Sequence, residues 1–420
     1  MHLYRALKIV IKKDSNFHRN YTFNELKQRK LLIKTITSLY EKFTYTRPLL
    51  ITLYGIKSYL DFSDPSSQKG LFSIYFYKNE KRQLDYLKEL MPGKQLVILK
   101  NSRSNYLNFK LWLEAFLVLL SPQYWKLVRR LSKKFGFLVA LRTISTLFYY
   151  IRFKRVLGNS SFQGTLVSSD SNPYAMGLSF SALSLGLKTF YINHGHIPEG
   201  PPRLFFDYSF LDGPGLEDVY KRVAPIKGKV IYKGSEGISG PLNLQGLKSP
   251  SPVIGVFLSL ITDWSKLIIL IDQINEKFRP RKILLRLHPN EVIRDNMMVR
   301  KVKKRSFTRI STAETSAVTD LKECDFVIMG NCSAHLTALK FGVPTIHIEG
   351  IDDVTHDFYL FIEKEIHPYF ESIESVDLNQ VSKFYQKNWN KKFAYFDSNY
   401  QKSPLESEKK ISDTFKEVLE

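Results

Sequence analysis

With 420 residues and 44% hydrophobic content the chain can bury a sizeable core, and ordinary domain sizes divide it into two domains rather than one. Its most apolar stretch, Phe137 to Ile151, contains Arg142 and runs into Arg152, Lys154 and Arg155, which excludes a spanning helix there; its two cysteines, Cys324 and Cys332, supply neither a disulfide framework nor a zinc site. The formal net charge of +22 lies in one part only, because residues 1–160 hold 30 Lys and Arg against 9 Asp and Glu, and the remainder holds 32 against 31.

A basic first part beside a neutral second one implies two kinds of partner, the first of them anionic: lipid head groups, an anionic glycan or nucleic acid. The opening segment MHLYRALKIVIKK has a short apolar core and no small-residue cleavage site, so the expected site of action is cytoplasmic. Strand-like runs follow at Leu49–Tyr54, Leu71–Tyr77 and Gln95–Leu99, with helical stretches between them, which predicts a parallel sheet with helices on its faces. From Leu107 to Arg155 the pattern is helical. Trp112, Phe116, Leu119 and Leu120 share one side, followed by Lys126, Arg129, Arg130, Lys133 and Lys134. Apolar burial and attraction to anionic lipid add in such a segment, which makes it the expected membrane-facing surface, with the domain core as the competing destination for its apolar residues.

Next comes a strand–helix–strand unit: Thr165–Asp170, a helix from Pro173 to Leu185 stopped by Gly186, and Lys188–Gly195. Further strands are expected at Phe206–Gly213 and Gly228–Gly234. The Pro-, Gly- and Ser-rich stretch Pro241–Pro252 reads as a linker. Alternation restarts with Pro252–Ser259, a helix over Trp264–Lys277, Arg281–Asn290, Cys324–Gly330, a helix over Ser333–Phe341, and Val343–Gly350. The expected boundaries are therefore a first domain over 1–240, a linker over 241–252, a second domain over 253–385, and a helical segment over 386–420 packing across both. The fold class is α/β, with two Rossmann-like domains facing each other across a cleft.

Ligands bind beyond the carboxyl ends of strands in open α/β sheets, so the polar residues closing each strand are the candidates. His194-Gly195-His196 offers imidazoles able to accept a proton near neutral pH. Arg286, His288, Pro289 and Asn290 combine a strand cation with a histidine oriented by the following proline, suited to a phosphate or diphosphate. Asn331, Cys332, Ser333 and Ala334 form a small, polar strand-to-helix turn, with Ser333 as the expected cap and backbone N–H groups facing an anion. Glu349 can accept hydrogen bonds from ribose or base. The pair Asp352-Asp353 reads as a solvated turn, and no DxD triplet is present as a cation clamp.

The arrangement SSD … SLGLKTFYINHG … LLRLHPN … CDFVIMGNCSAHLTALKFGVPTIHIEG resembles the GT-B glycosyltransferases of bacterial capsule and surface-polysaccharide synthesis, including polysialyltransferases, Kdo transferases and CDP-glycerol glycerophosphotransferases. The resemblance spans residues 165–350; paired serines or Ser-Thr are common where Cys332 precedes Ser333 here. It implies an acceptor-binding first domain and a donor-binding second domain. His288, Ser333 and Asn331 would contact the donor phosphate, with Arg286, Pro289, Ala334 and Glu349 in the same donor site, and His194, seconded by His196, would supply the base.

The expected reaction is metal-independent single displacement from a nucleotide-sugar, CMP-linked by the resemblance, with no cofactor. The acceptor is a surface-polysaccharide or lipid-linked glycan at the inner face of the cell membrane. Three other readings compete: transfer of a polyol phosphate from a CDP carrier with the same histidines; sugar-nucleotide epimerisation, which needs no basic amphipathic domain; and nucleic-acid binding, for which no recognition motif is visible.

Overall fold

The structure, a computed structural model, describes residues 47–60, 69–100, 109–288 and 302–419, apart from positions 198–199, 236, 238, 260–261, 303, 313, 353–356 and 388. The expected roles of Pro289, Asn290 and Asp353 therefore fall on residues outside the described ones.

The first domain is built on strands β1 (Gly70–Tyr75), β2 (Leu96–Lys100), β3 (Phe162–Val167), β4 (Lys188–Ile192), β5 (Tyr208–Leu211) and β6 (Lys229–Tyr232). They pair in the order β2-β1-β3-β4-β5-β6, and every pairing is parallel. Its helices are α1 (Arg47–Leu60), α2 (Lys78–Leu90), α3 (Phe109–Leu119), α4 (Pro122–Phe135), α5 (Phe137–Gly158), α6 (Pro173–Leu185) and α7 (Pro214–Lys221). In α6 the sequence signals act as expected. Pro173 opens the helix where no N–H partner is needed, and Gly186 closes it at φ 73°, a conformation that costs an L side chain more.

One expected strand is a helix. Leu49–Tyr54 lies inside α1, because Ile51, Ile56, Tyr59 and Leu60 form a helical stripe buried against α5. Gly55 faces the same way, and a Cβ there would stand 2.6 Å from Phe148. A short apolar run reads alike in both periods, and the long apolar partner decided it. Helix α5 holds the most apolar stretch of the sequence and buries most of it, including Ile144, Leu147, Phe148 and Tyr150, between α1 and α6. It is core, not membrane surface.

The second domain repeats the plan with β7 (Val253–Phe257), β8 (Lys282–Arg286), β9 (Thr308–Ser311), β10 (Phe326–Met329), β11 (Thr345–Ile348) and β12 (Tyr369–Phe370). They pair in the order β12-β11-β10-β7-β8-β9, again all parallel. Its helices are α8 (Trp264–Phe278), α9 (Ala317–Glu323) and α10 (Ala334–Lys340), followed by α11 (Leu378–Gln386), α12 (Trp389–Phe396) and α13 (Leu405–Leu419). Asp263 caps α8 by accepting from the N–H groups of Ser265 and Lys266.

The C-terminal helices tie the domains together. Tyr385, Trp389, Phe393 and Tyr400 join the second core, whereas Ile411, Phe415 and Leu419 pack under the first sheet against Phe190 and Phe210. The stretch expected as a linker lies against the second domain: Leu247 enters its core, and the Asn243 N–H donates to the Gly342 carbonyl at 2.7 Å. A buried chain of charge also crosses here, with Lys340 donating to Asp397 at 2.8 Å and Asp397 accepting from Ser235 at 2.6 Å.

Candidate active site

Strand β7 has neighbours on both sides and the chain leaves it in opposite directions, so a crevice opens at its carboxyl end beside β10. Ser259 follows β7, Gly330 and Asn331 follow β10, and Asp352 closes the crevice. The Ser259 hydroxyl donates to Asp352 Oδ1 at 2.6 Å, and the Asn331 N–H donates to Oδ2 in a short bond. Asp352 is 4% exposed and bridges to Thr262. The expectation of a solvated turn is thus corrected at this residue, because the carboxylate is the acceptor around which the turn folds. Gly330 has to be glycine, since a Cβ would collide with the same carboxylate.

Ser333 does not act as the expected cap. Its backbone is already helical, at φ −64° and ψ −13°, and its side chain makes no cap bond. Its hydroxyl instead interacts with the Tyr359 phenol. Ala334 begins α10, which has only seven residues, so the turn's contribution to binding an anion rests on local N–H groups more than on a long dipole. Asn331 is buried and its Oδ1 accepts from the Phe358 N–H at 3.2 Å. The Cys332 thiol is pushed up to about 11 by burial, which removes it as a nucleophile.

Arg286 is paired within the second domain. Its side chain, 9% exposed, forms a short ion pair with Asp320 and donates to the Thr315 carbonyl at 3.0 Å. A charge buried at a strand end must be paired within the domain, so any phosphate contact by Arg286 would be made alongside that pairing. His288, two residues on, follows the end of β8, the strand beside β7, and is half-buried. Glu349 is half-buried at the end of β11, and its carboxylate accepts from the Tyr369 hydroxyl.

In the first domain, β3 and β4 end side by side and bring Ser168–Asp170 against His194. His194 Nδ1 lies 2.5 Å from the Ser168 carbonyl oxygen. A carbonyl only accepts, so Nδ1 carries the proton and Nε2 keeps its lone pair. The loop is held from beneath by buried polar groups: Asn193 Nδ2 donates to Asp212 Oδ2 at 2.8 Å, and Lys233 Nζ donates to Asp212 Oδ1 at 2.5 Å. Asp170, beside it, accepts from the Tyr220 hydroxyl at 2.7 Å. Burial raises its carboxyl, opposed first by the Tyr220 hydrogen bond.

His196 has a different place from the one expected. Its ring packs 5.1 Å from Phe361, 5.4 Å from Phe396 and 6.0 Å from Tyr359, between the domains. Neither ring nitrogen makes a hydrogen bond of ordinary geometry, and burial, opposed by the Tyr359 backbone, pushes the imidazole down to about 4. His196 thereby acts as a wedge that fixes the His194 loop against Tyr359, which in turn touches Ser333. The route from the His194 loop to the Asn331–Ala334 turn is short. The structure thus draws Ser259, Asn331 and Asp352 together, links the His194 loop to Ser333 through His196 and Tyr359, and gives Arg286 and His196 packing partners of their own. Sequence reading missed Ser259 and took Asp352 for a solvated turn; the clue was that Ser259 and Asn331 follow the adjacent strands β7 and β10.

No family model matches the sequence, and no curated protein matches it. Solved structures do resemble it. They include a UDP-N-acetylglucosamine 2-epimerase from Neisseria meningitidis bound to UDP-GlcNAc, at 11% identity over 83% of this chain and 100% of that one, with a TM-score of 0.49. A second is a putative UDP-N-acetylglucosamine 2-epimerase from Listeria monocytogenes, at 11% identity, 83% and 95% coverage and a TM-score of 0.48. A third is the wall teichoic acid polymerase TagF, at 12% identity, 94% and 98% coverage and a TM-score of 0.46. These likenesses are too distant to carry an activity across. From its own two parallel sheets the chain is a two-domain α/β protein.

Proposed function

We propose that the protein is a glycosyltransferase that moves a sugar from a nucleotide-sugar to a surface-polysaccharide or lipid-linked glycan acceptor. The observation that carries this reading is the fixed tautomer of His194, which leaves Nε2 as a proton acceptor on a loop wedged against the donor turn. The acceptor hydroxyl gives its proton to Nε2 as its oxygen attacks the anomeric carbon. The bond from that carbon to the donor phosphate oxygen breaks, and the pair of electrons leaves with the nucleotide. N–H groups of the turn at Asn331–Ala334, with His288, would stabilise that leaving charge. Glu349 would accept from the ribose or base. No step in this scheme uses a metal or cofactor.

The acceptor's setting is read from α3 and α4. Phe109, Trp112, Leu113, Phe116, Leu117 and Leu120 recur at helical spacing and are all exposed, Phe109 at 79%. Lys126, Arg129, Arg130, Lys133 and Lys134 are exposed beside them, and Leu119, Leu120, Pro122, Trp125, Lys126 and Arg129 line a groove of about 650 Å³. No helix of the described residues is long and apolar enough to cross a membrane. An apolar stripe edged with cations suits lying on an anionic leaflet.

The test is calorimetric titration of CMP-, CDP-, UDP- and GDP-sugars and of CDP-glycerol. One nucleotide class should bind, and His288→Ala should weaken it about tenfold; absence of binding by any of them would overturn the reading. Binding of CDP-glycerol alone would move the transfer to a polyol phosphate, and isomerised sugar without nucleotide release would make the protein an epimerase.

A further inference from the structure

Behind the donor turn, three imidazoles meet. His335 lies on α10, His347 on β11 and His367 just before β12, and they are 0%, 5% and 2% exposed. Each offers a ring nitrogen within 4.8 Å of those of the other two. Their ring centroids are 4.0 Å apart for His335 and His367, 5.2 Å for His347 and His367, and 5.9 Å for His335 and His347. Phe361 closes the cluster edge-on, and Tyr369 flanks His347 at 5.6 Å.

Polar rings in such surroundings are costly unless they are partnered. His335 is partnered: its Nε2 lies 3.1 Å from the Gly330 carbonyl, so that nitrogen bears the proton, and Nδ1 is the acceptor, 2.9 Å from the Thr345 hydroxyl. His367 is not, since neither of its nitrogens makes a hydrogen bond of ordinary geometry. Neutral His367 has one N–H, for which backbone oxygens of its own segment are near, and one lone pair, which lacks a group to accept it.

A cation supplies that. Neutral imidazole is the commonest ligand of borderline transition metals, and a ligating histidine usually gives its other N–H to a backbone carbonyl, as His335 gives Nε2–H to Gly330. Bonds of about 2.0–2.1 Å to a tetrahedral ion set nitrogens about 3.3 Å apart, so the three rings, now 13–33° from parallel, would have to turn their lone pairs onto one point, and His335 Nδ1 would exchange the Thr345 hydroxyl for the ion.

We propose that His335, His347 and His367 form a binding site for one transition-metal ion of the zinc class. The ion would pin α10, β11 and the segment before β12 to one another behind the crevice. This is a structural site, apart from the transfer chemistry, and it holds whether or not the transferase reading does.

The experiment uses the full chain without a histidine tag, treated with a chelator and desalted, then given zinc or cobalt(II) chloride. We expect one equivalent of zinc to survive a second desalting, a rise of several degrees in Tm, and visible cobalt absorption of tetrahedral intensity. In His367→Leu and His347→Leu all three should be lost, with far-UV circular dichroism of the zinc-free proteins matching wild type. No stoichiometric metal in the wild type, or metal retained undiminished by both variants, would overturn the site. A merely structural stack would also show itself: His367→Leu would then keep or raise Tm by the same amount with and without zinc.

Discussion

Arg286 and Asp320 form an ion pair inside the second domain, with side chains 9% and 0% exposed, at the end of the strand that leads to His288. Ser311 adds a hydroxyl to the same carboxylate at 2.5 Å. Removing Arg286 leaves the buried Asp320 carboxylate with only the half-exposed Arg309 at 3.4 Å and the Ser311 hydroxyl, a loss of up to about 3–5 kcal/mol. Arg286→Ala should lower stability by that order in chemical denaturation. Arg286→Met paired with Asp320→Leu should recover most of the loss. If Arg286→Ala folds as stably as wild type and fails only in donor binding, the guanidinium belongs to the donor site after all.

Asp352 holds the crevice by accepting from Ser259 and Asn331. Asp352→Ala removes the acceptor of both bonds, at up to about 1–3 kcal/mol for each. Its unfolding midpoint should fall, and its donor affinity should drop with it, because the turn loses its anchor. Gly330→Ala should behave alike, since the added methyl displaces the same carboxylate. Wild-type affinity in both variants would remove Asp352 from the site.

On the surface of α3 and α4, charge reversal at Lys126, Arg129 and Arg130 should release the protein from anionic vesicles, each cation near a leaflet being worth about 1 kcal/mol. Trp112→Ser with Phe116→Ser should weaken binding even at high salt, where only apolar burial persists. Vesicle sedimentation checks both. Undiminished sedimentation of all variants would place the anchor elsewhere, and tight binding to RNA without lipid binding would favour a nucleic-acid partner.

His196 gives a prediction in pH. Its folded value, about 4, lies below the ordinary 6.5, so the unfolded chain takes up a proton first. The stability that neutral His196 contributes is complete above pH 6.5 and is lost as pH falls from there to about 4. Urea denaturation at pH 7 and pH 5 should show a smaller loss in His196→Phe than in wild type. Equal losses would show that the wedge is not what titrates.

Much of this was legible in the sequence. Pro173 and Gly186 bracket a helix by chemistry that acts over a few residues, and His194 was visible because a polar residue ending an apolar strand points at a ligand. The pairings of Arg286 and Asp352 were not, since each is made with a partner distant in the chain: Asp320 for the first, Ser259 and Asn331 for the second. The same holds for Leu49–Tyr54, whose helix is decided by its contact with α5, and for His196, whose ring meets residues of the other domain. Local signals fix elements and strand ends, whereas pairing across the fold decides which polar groups remain free for chemistry.

Release of free nucleotide from the donor panel, followed by chromatography in the presence of a lipid-linked glycan extract, tests the central claim most directly. Wild-type protein should release nucleotide from one donor class, and His194→Ala should do so about a hundredfold or more slowly while binding that donor as tightly. Undiminished release by His194→Ala, or no release from any donor by the wild type, would contradict the account.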